Sequence, residues 1–173
     1  MGPVAIRRMR LVPATAELVR AELTSKVALA EALGAVVPAN WPPEDWADVL
    51  PLFLEFLEGE SQHVGWYGWY GLLTDAQPGA LVLAAGGGFK GPPEDGEVEI
   101  GYAVLPQFQR RGYATEMVVA LTAWAFAQAG VERVIAEVKA ENHPSLRVLA
   151  KAGFQLVGEG KEPGSLCWVF QPE

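Results

Sequence analysis

The residues Gln109-Arg110-Arg111-Gly112-Tyr113-Ala114 stand between an apolar, strand-like run that ends at Pro106 and a helical pattern that opens at Thr115. A strand that turns at a glycine straight into a helix leaves the first N–H groups of that helix unpaired and aimed at one point. The helix dipole adds positive potential there. This unit constrains the fold to one in which a strand feeds a helix. Its natural guest is an anion, phosphate first.

The chain around it has 173 residues, 50% of them hydrophobic, enough for one domain over 1–173 with a substantial core. A net charge of -8 argues against a nucleic-acid partner, for which a basic surface supplies the affinity, and favours cationic ones. Cys167 is the one cysteine, so neither an intramolecular disulfide nor a cysteine-based metal site is expected. His63 and His143 are isolated and lack ligand spacing, so no metal is expected from them either. The basic start is not followed by an apolar segment of signal-peptide length. No later stretch of about 18 residues lacks charges and turn formers. The expectation is a soluble cytoplasmic protein with no membrane partner.

In chain order, Ile6 to Val12 alternates roughly and stops at Pro13, which suits an edge strand. Leu18, Val19, Leu23, Val27, Leu29, Ala30 and Leu33 approximate helical spacing, predicting one helix from an N-cap at Thr15 to a stop at Gly34. Three prolines between Val37 and Pro43 make that segment a loop. A second helix opens at Glu44 and runs to Gly59, with Pro51 as a kink or divider. Trp41 and Trp46 either pack on the core or wall a substrate pocket with these helices. The aromatic run Gly65 to Leu73 predicts a strand, Asp75 to Gly79 a turn and Ala80 to Ala85 another strand. Gly86-Gly87-Gly88 lacks the Gly-Lys-Ser/Thr continuation of a phosphate loop and reads as a flexible turn or bulge.

Glu97 to Pro106 alternates with period two and leads into the opening motif. A helix over Thr115 to Gln128, a strand over Val131 to Val138, a helix from about Ser145 to Gly153 and strands at Phe154 to Val157 and Leu166 to Phe170 complete the pattern.

Two blocks carry a family resemblance. Gln109, Gly112 and Ala114 fill the fixed positions of a signature that reads Gln or Arg, two variable residues, Gly, one variable residue, then Gly or Ala. About 30 residues on, Asn142, Ser145, Gly153 and Phe154 match a second block. Together they span Glu97 to Phe154 and resemble the GNAT N-acetyltransferase superfamily, in particular its RimJ/RimL-type branch. The resemblance implies an α/β (α+β) fold: a single GNAT-type domain whose mixed, mostly antiparallel central sheet of about seven strands is flanked by about four helices. It implies an N-acetyltransferase that moves an acetyl group from acetyl-CoA, a co-substrate, to a primary amine in a ternary complex. A protein N-terminus or a small cationic amine would serve as acceptor, and homodimers occur among relatives. An acyl-CoA-binding regulatory module without turnover, or a structural partner protein using the aromatic face around Trp66 to Tyr70, are the alternatives.

By this resemblance the amides from Arg110 through Gly112, Tyr113 and Ala114 to Thr115 bind the pyrophosphate, with Gln109 opening the motif. The Arg110 and Arg111 side chains either meet phosphates or are simply solvated. Backbone groups of Tyr102, Ala103 and Val104 pair with the pantetheine arm in the manner of an added strand. A strand amide near Val104 stabilises the oxyanion. Asn142 binds the pantetheine or caps a helix; Ser145 protonates the departing thiolate or is an ordinary first-turn serine. Glu99 is the first candidate for general base and Glu97 the second, each with the alternative of a solvated strand charge. The branch often carries Glu in the strand after Gly-Phe, where this chain has Val157, with Glu159 two residues later.

Overall fold

The computed structural model describes residues 2–59 and 63–172. Its elements in order are strands β1 (Val4–Ile6) and β2 (Met9–Pro13), helices α1 (Ala16–Thr24), α2 (Lys26–Leu33) and α3 (Glu44–Gly59), and strands β3 (Gly68–Gln77), β4 (Ala80–Phe89) and β5 (Glu97–Val104). Then come a single 3-10 turn (Pro106–Phe108), α4 (Tyr113–Phe126), β6 (Arg133–Lys139), α5 (His143–Lys151), β7 (Gln155–Glu159) and β8 (Ser165–Phe170). The eight strands form one sheet in the order β1-β2-β3-β4-β5-β6-β8-β7. Every neighbouring pair is antiparallel except β5–β6.

The glycine triplet shows how the layers are arranged, and it corrects the sequence expectation. Gly86, Gly87 and Gly88 are buried inside β4 and paired on both sides, to β3 and to β5, rather than forming a turn. A Cβ built on Gly86 would lie 2.6 Å from Trp46 of α3, and one on Gly87 would lie 2.9 Å from Met117 of α4. Successive strand residues face opposite sides. Hence α3 and α4 cover opposite faces of the sheet, and Gly86 and Gly87 each leave room for a side chain lying directly on the strand, whereas a Cβ on Gly88 would meet the Tyr67 carbonyl. The α1 helix packs on α2 and α3, and α5 on α4. The core is correspondingly aromatic: Trp41 and Trp69 are at most 1% exposed and Tyr70 is fully buried.

Several boundaries differ from expectation. The first strand is a hairpin, Ile6 pairing with Met9 across Arg7 and Arg8. The single helix after Thr15 is two, because Ser25 takes extended backbone and acts as the C-cap of α1 and, through Oγ accepting from Ala28 N at 3.1 Å, as the N-cap of α2. Thr15 does cap α1, accepting from Leu18 N at 3.3 Å. β3 runs on to Gln77, so the turn lies at Pro78 and Gly79. The sheet thus has eight strands and the described residues hold five α-helices, one more of each than expected. The run Trp66 to Tyr70 is buried, from 9% exposed at Trp66 to fully buried at Tyr70. An aromatic partner face there is overturned by that burial. No helix among the described residues is long and apolar enough to cross a membrane.

Candidate active site

β5 and β6 begin as a parallel pair and then part. The ladder joins Glu97 to Arg133, Val98 to Val134 and Glu99 to Ile135, and stops. β5 continues to Val104 against β4, while β6 continues against β8. The edge of β5 from Ile100 to Val104 that faces β6 is therefore without a strand partner, which leaves a wedge open in the middle of the sheet. One side chain reaches from β5 to α5 beside this wedge and another ties down the end of β5. Tyr102 donates its hydroxyl to the Ser145 carbonyl on α5 at 3.1 Å, and Gln109 Nε2 donates to the Val104 carbonyl at 2.9 Å. Burial pushes the Tyr102 phenol up to about 12, so it remains a donor.

The wedge opens onto the N-terminus of α4. Gly112 is the N-cap residue, with φ 88, and has no side chain to satisfy the helix amides. Arg110 is also left-handed, with φ 59. Two left-handed residues in close succession curl the chain so that the amides ahead of α4 converge. The side chains of Arg110 and Arg111 are exposed. A residue absent from the sequence reasoning, Arg8 of the β1–β2 turn, locks this loop. Its Nη2 donates to the Arg111 carbonyl at 2.8 Å, its Nε to Glu116 Oε1 at 2.8 Å, and its guanidinium lies 4.6 Å from the Tyr113 ring centre. Glu116 raises the Arg8 guanidinium further above its ordinary range. Tyr113 in turn donates to Asp75 Oδ1 at 2.9 Å, and burial together with that carboxylate pushes its phenol up.

Asn142 is the N-cap of α5, its Oδ1 accepting from Ser145 N at 3.3 Å. The half-buried Ser145 lies one hydrogen bond from Tyr102. The two carboxylates considered as bases lie on the paired part of β5. Glu99 forms an ion pair with Lys90, and Glu97 accepts from Arg133 Nε at 2.7 Å. Glu99 precedes Val104 by five positions on an extended strand, roughly 16 Å, so any proton it takes from that end must come through water. Glu159 lies at the exposed end of β7.

A second carboxylate site escaped the sequence reading altogether. Glu22 of α1 accepts from the indoles of Trp41 at 2.7 Å and Trp46 at 3.1 Å through Oε1, and from the Tyr70 hydroxyl at 2.6 Å through Oε2. Burial raises its carboxyl above the ordinary range, and the three hydrogen bonds offset this in part. Both tryptophans pack on the core, the first of the two roles expected of them, and each also donates its indole N–H to Glu22. The available signal was Glu22 itself, a charge three residues after the fully buried Val19, on the apolar stripe of α1. The adjoining loop is tied toward the α4 entrance by Asn40 and Gln107, which exchange two amide hydrogen bonds of 2.9 Å. Among the described residues no group of three His, Cys, Asp or Glu side chains could hold a metal ion.

Residues 8–155 match a family model described as an acetyltransferase (GNAT) domain. The chain is 32% identical over 125 residues to the uncharacterized N-acetyltransferase YjdG of Bacillus subtilis (strain 168), covering 72% of each protein. In structure it is similar to a GNAT-family acetyltransferase from Bacillus anthracis, with TM-score 0.64, 20% identity and 98% of both chains covered. It is also similar to Mycobacterium smegmatis RimJ in complex with CoA-disulfide, with TM-score 0.63, 19% identity and coverage of 99% of this chain and 90% of that one.

Proposed function

Since the chain belongs to the GNAT acetyltransferase family and is an N-acetyltransferase enzyme, we propose that it transfers an acetyl group from acetyl-CoA to a primary amine by direct attack within a ternary complex. The observation that carries the donor half is the parting of β5 from β6 immediately ahead of the α4 N-terminus. A nucleotide diphosphate would take the amides between Arg110 and Thr115, and the free edge at Tyr102, Ala103 and Val104 would pair with the amide groups of the pantetheine arm. Gly112 fits this cradle. Its φ of +88 excludes most side chains, and a Cβ would stand 3.2 Å from Arg8 Nη2. Bound acetyl-CoA supplies an activated thioester. The chain's own part is to hold that thioester beside the amine, offer an amide near Val104 to the carbonyl oxygen, and keep donors near the departing sulfur.

The donor group at the sulfur is the Tyr102 hydroxyl, which exchanges its bond to the Ser145 carbonyl for one to the thiolate, with the Ser145 hydroxyl beside it. Proton removal from the acceptor falls to Glu99 through water, as its distance from Val104 requires. Asn142 serves as both the α5 cap and a polar contact for the pantetheine. The protein acts as a single domain and has its place in the cytoplasm.

Isothermal titration with acetyl-CoA and a thiol-release assay over an amine panel test this reading. Saturable acetyl-CoA binding with amine-dependent CoA release is expected. Binding with no release above background for any amine makes the protein a regulatory module instead, and no binding rejects the donor assignment. Gly112→Val should weaken acetyl-CoA binding by more than about 100-fold, combining backbone strain with loss of the cradle; an unchanged affinity removes the α4 N-terminus from the site.

A further inference from the structure

Glu22 is the residue that the donor chemistry leaves unused, and its surroundings are unusual for a half-buried carboxylate. Its hydrogen bonds come from three neutral donors, and it makes no ion pair with any described lysine or arginine. Removing a carboxylate from water without a cation is costly, and neutral donors recover only part of that cost. A carboxylate has about four lone-pair positions, of which these donors occupy three. One position on Oε2 is left.

The sheet register relates this group to the proposed transfer point. Tyr70 pairs with Gly86, and Gly86 pairs with Ala103, so the three form one row across β3, β4 and β5. Residues directly opposite one another project to the same face. Tyr70 reaches Glu22 on that face, Trp46 lies over Gly86 on it, and Ala103 shares it, one residue before Val104. Two strand spacings separate Tyr70 from Ala103, roughly 10 Å. The floor beside Ala103 is open: a Cβ on Gly101, two residues earlier and on the same face, would meet nothing within 4 Å, and Gly101 is exposed. The loop carrying Trp41 is fastened at Asn40 to Gln107, just beyond β5, so the Glu22 group and the end of β5 are held in fixed relation.

An acetyl-accepting nitrogen must be neutral to attack, so it has no use for a carboxylate held above β3, two strands from β5. A second nitrogen on the same molecule, still protonated, does. We propose that Glu22 binds a second, positively charged group of the acceptor, so that the preferred substrate is a diamine or other amine carrying a remote cation. This rests on the N-acetyltransfer reading above and narrows its acceptor. The remaining lone pair of Oε2 receives the ammonium, the Trp41, Trp46 and Tyr70 donors hold the carboxylate in place, and the acceptor's chain passes from the open floor beside Ala103 over the Trp46 ring that covers Gly86. The net charge of -8 acts in the same direction by drawing cations to the surface.

The test compares a linear α,ω-diamine with the monoamine of equal length, in the intact protein and in Glu22→Gln, which keeps the shape of the side chain and removes its charge. Both are measured by thiol-release kinetics and by calorimetric titration, with and without CoA. For the wild type, KM and Kd for the diamine should lie at least about tenfold below those for the monoamine. In Glu22→Gln this preference should vanish, with monoamine KM and acetyl-CoA affinity unchanged. A diamine preference that survives in Glu22→Gln overturns the proposal, as does an equal loss for both amines accompanied by a lowered Tm, which would make Glu22 a brace for the aromatic cluster. If acetyl-CoA does not bind, the transfer reading fails on its own. The diamine titration against the two proteins still decides whether Glu22 receives a cation.

Discussion

Arg8 and Arg111, 103 positions apart in sequence, are joined by a hydrogen bond of 2.8 Å from the Arg8 guanidinium to the Arg111 carbonyl. The bond occupies that carbonyl while the same guanidinium pairs with Glu116 in the first turn of α4. Without Arg8, a negative charge would stand unpaired beside the α4 N-terminus, the proposed diphosphate site, and the Arg111 carbonyl would lose its donor. Glu116 Oε2 is already buried without a hydrogen-bond partner, so this carboxylate has little other support.

Arg8→Met, which keeps the length of the stem, should therefore weaken acetyl-CoA binding by about tenfold. Adding Glu116→Gln should restore part of it, because the double variant removes the repulsive charge together with its neutraliser. Calorimetric titration of the three proteins checks this; an affinity for Arg8→Met equal to wild type, with its fold intact by circular dichroism, would show that the latch serves stability alone.

Tyr102→Phe removes the one side chain hydrogen bond that crosses from β5 to α5. Stability should fall by about 1 kcal/mol, the usual net worth of such a bond. If the hydroxyl serves the departing thiolate, kcat should fall by on the order of 100-fold while KM for acetyl-CoA changes little. Because burial holds this phenol at about 12 rather than its ordinary 10.0, the ratio of wild-type to Tyr102→Phe rates should stay flat through the pH range in which a free tyrosine ionises. A ratio that drops toward unity near the ordinary value would mean that the phenol ionises freely and is not held in the wedge.

Gly86→Ala tests the layer arrangement. The added methyl would lie 2.6 Å from the Trp46 ring, which is itself wedged against Trp41, Tyr70 and Phe53. Overpacking of this kind costs about 1–3 kcal/mol, and a Tm lowered by several degrees is expected. An unchanged Tm would mean that Trp46 moves without cost, and that the cluster around Glu22 is looser than its packing indicates.

The parts of the candidate site built by neighbouring residues were legible from sequence and the parts built by remote ones were not, for a physical reason. Gly112 and the run from Gln109 to Thr115 turn into α4 through local backbone geometry, which a short motif records. The turn residues of the triplet at Gly86 were misread because glycine has two uses with one spelling: freedom of backbone angle, and absence of a side chain where another must lie. Only the tertiary position of Trp46 selects the second. The same holds for Arg8 and Glu22, whose partners at Arg111 and Tyr70 are remote in sequence and carry no spacing. The split at Ser25 was legible in principle, since a serine amid helix formers is a cap signal, but the apolar spacing on either side runs nearly in phase and hides the break.

The ionisation of Glu22 gives a prediction about stability whose sign is fixed by the burial of its carboxyl. Burial raises the folded-state value above the ordinary 4.5, the hydrogen bonds from Tyr70, Trp41 and Trp46 opposing it in part. Between the unfolded and the raised folded values the native protein holds a proton that the unfolded chain has lost. The stability this lends is fully present below the ordinary value and is lost as pH rises through the folded one. Glu22→Gln cannot lose it. The difference in Tm, variant minus wild type, should accordingly become more positive as pH is raised from below 4.5 toward neutrality, and level off once the native carboxyl is ionised. Adding a diamine at neutral pH should shrink that difference, since a bound ammonium compensates the charge only in the wild type. A difference that moves the opposite way with pH would mean that the three donors outweigh burial and hold the carboxylate below its ordinary value, leaving it no need of a cation.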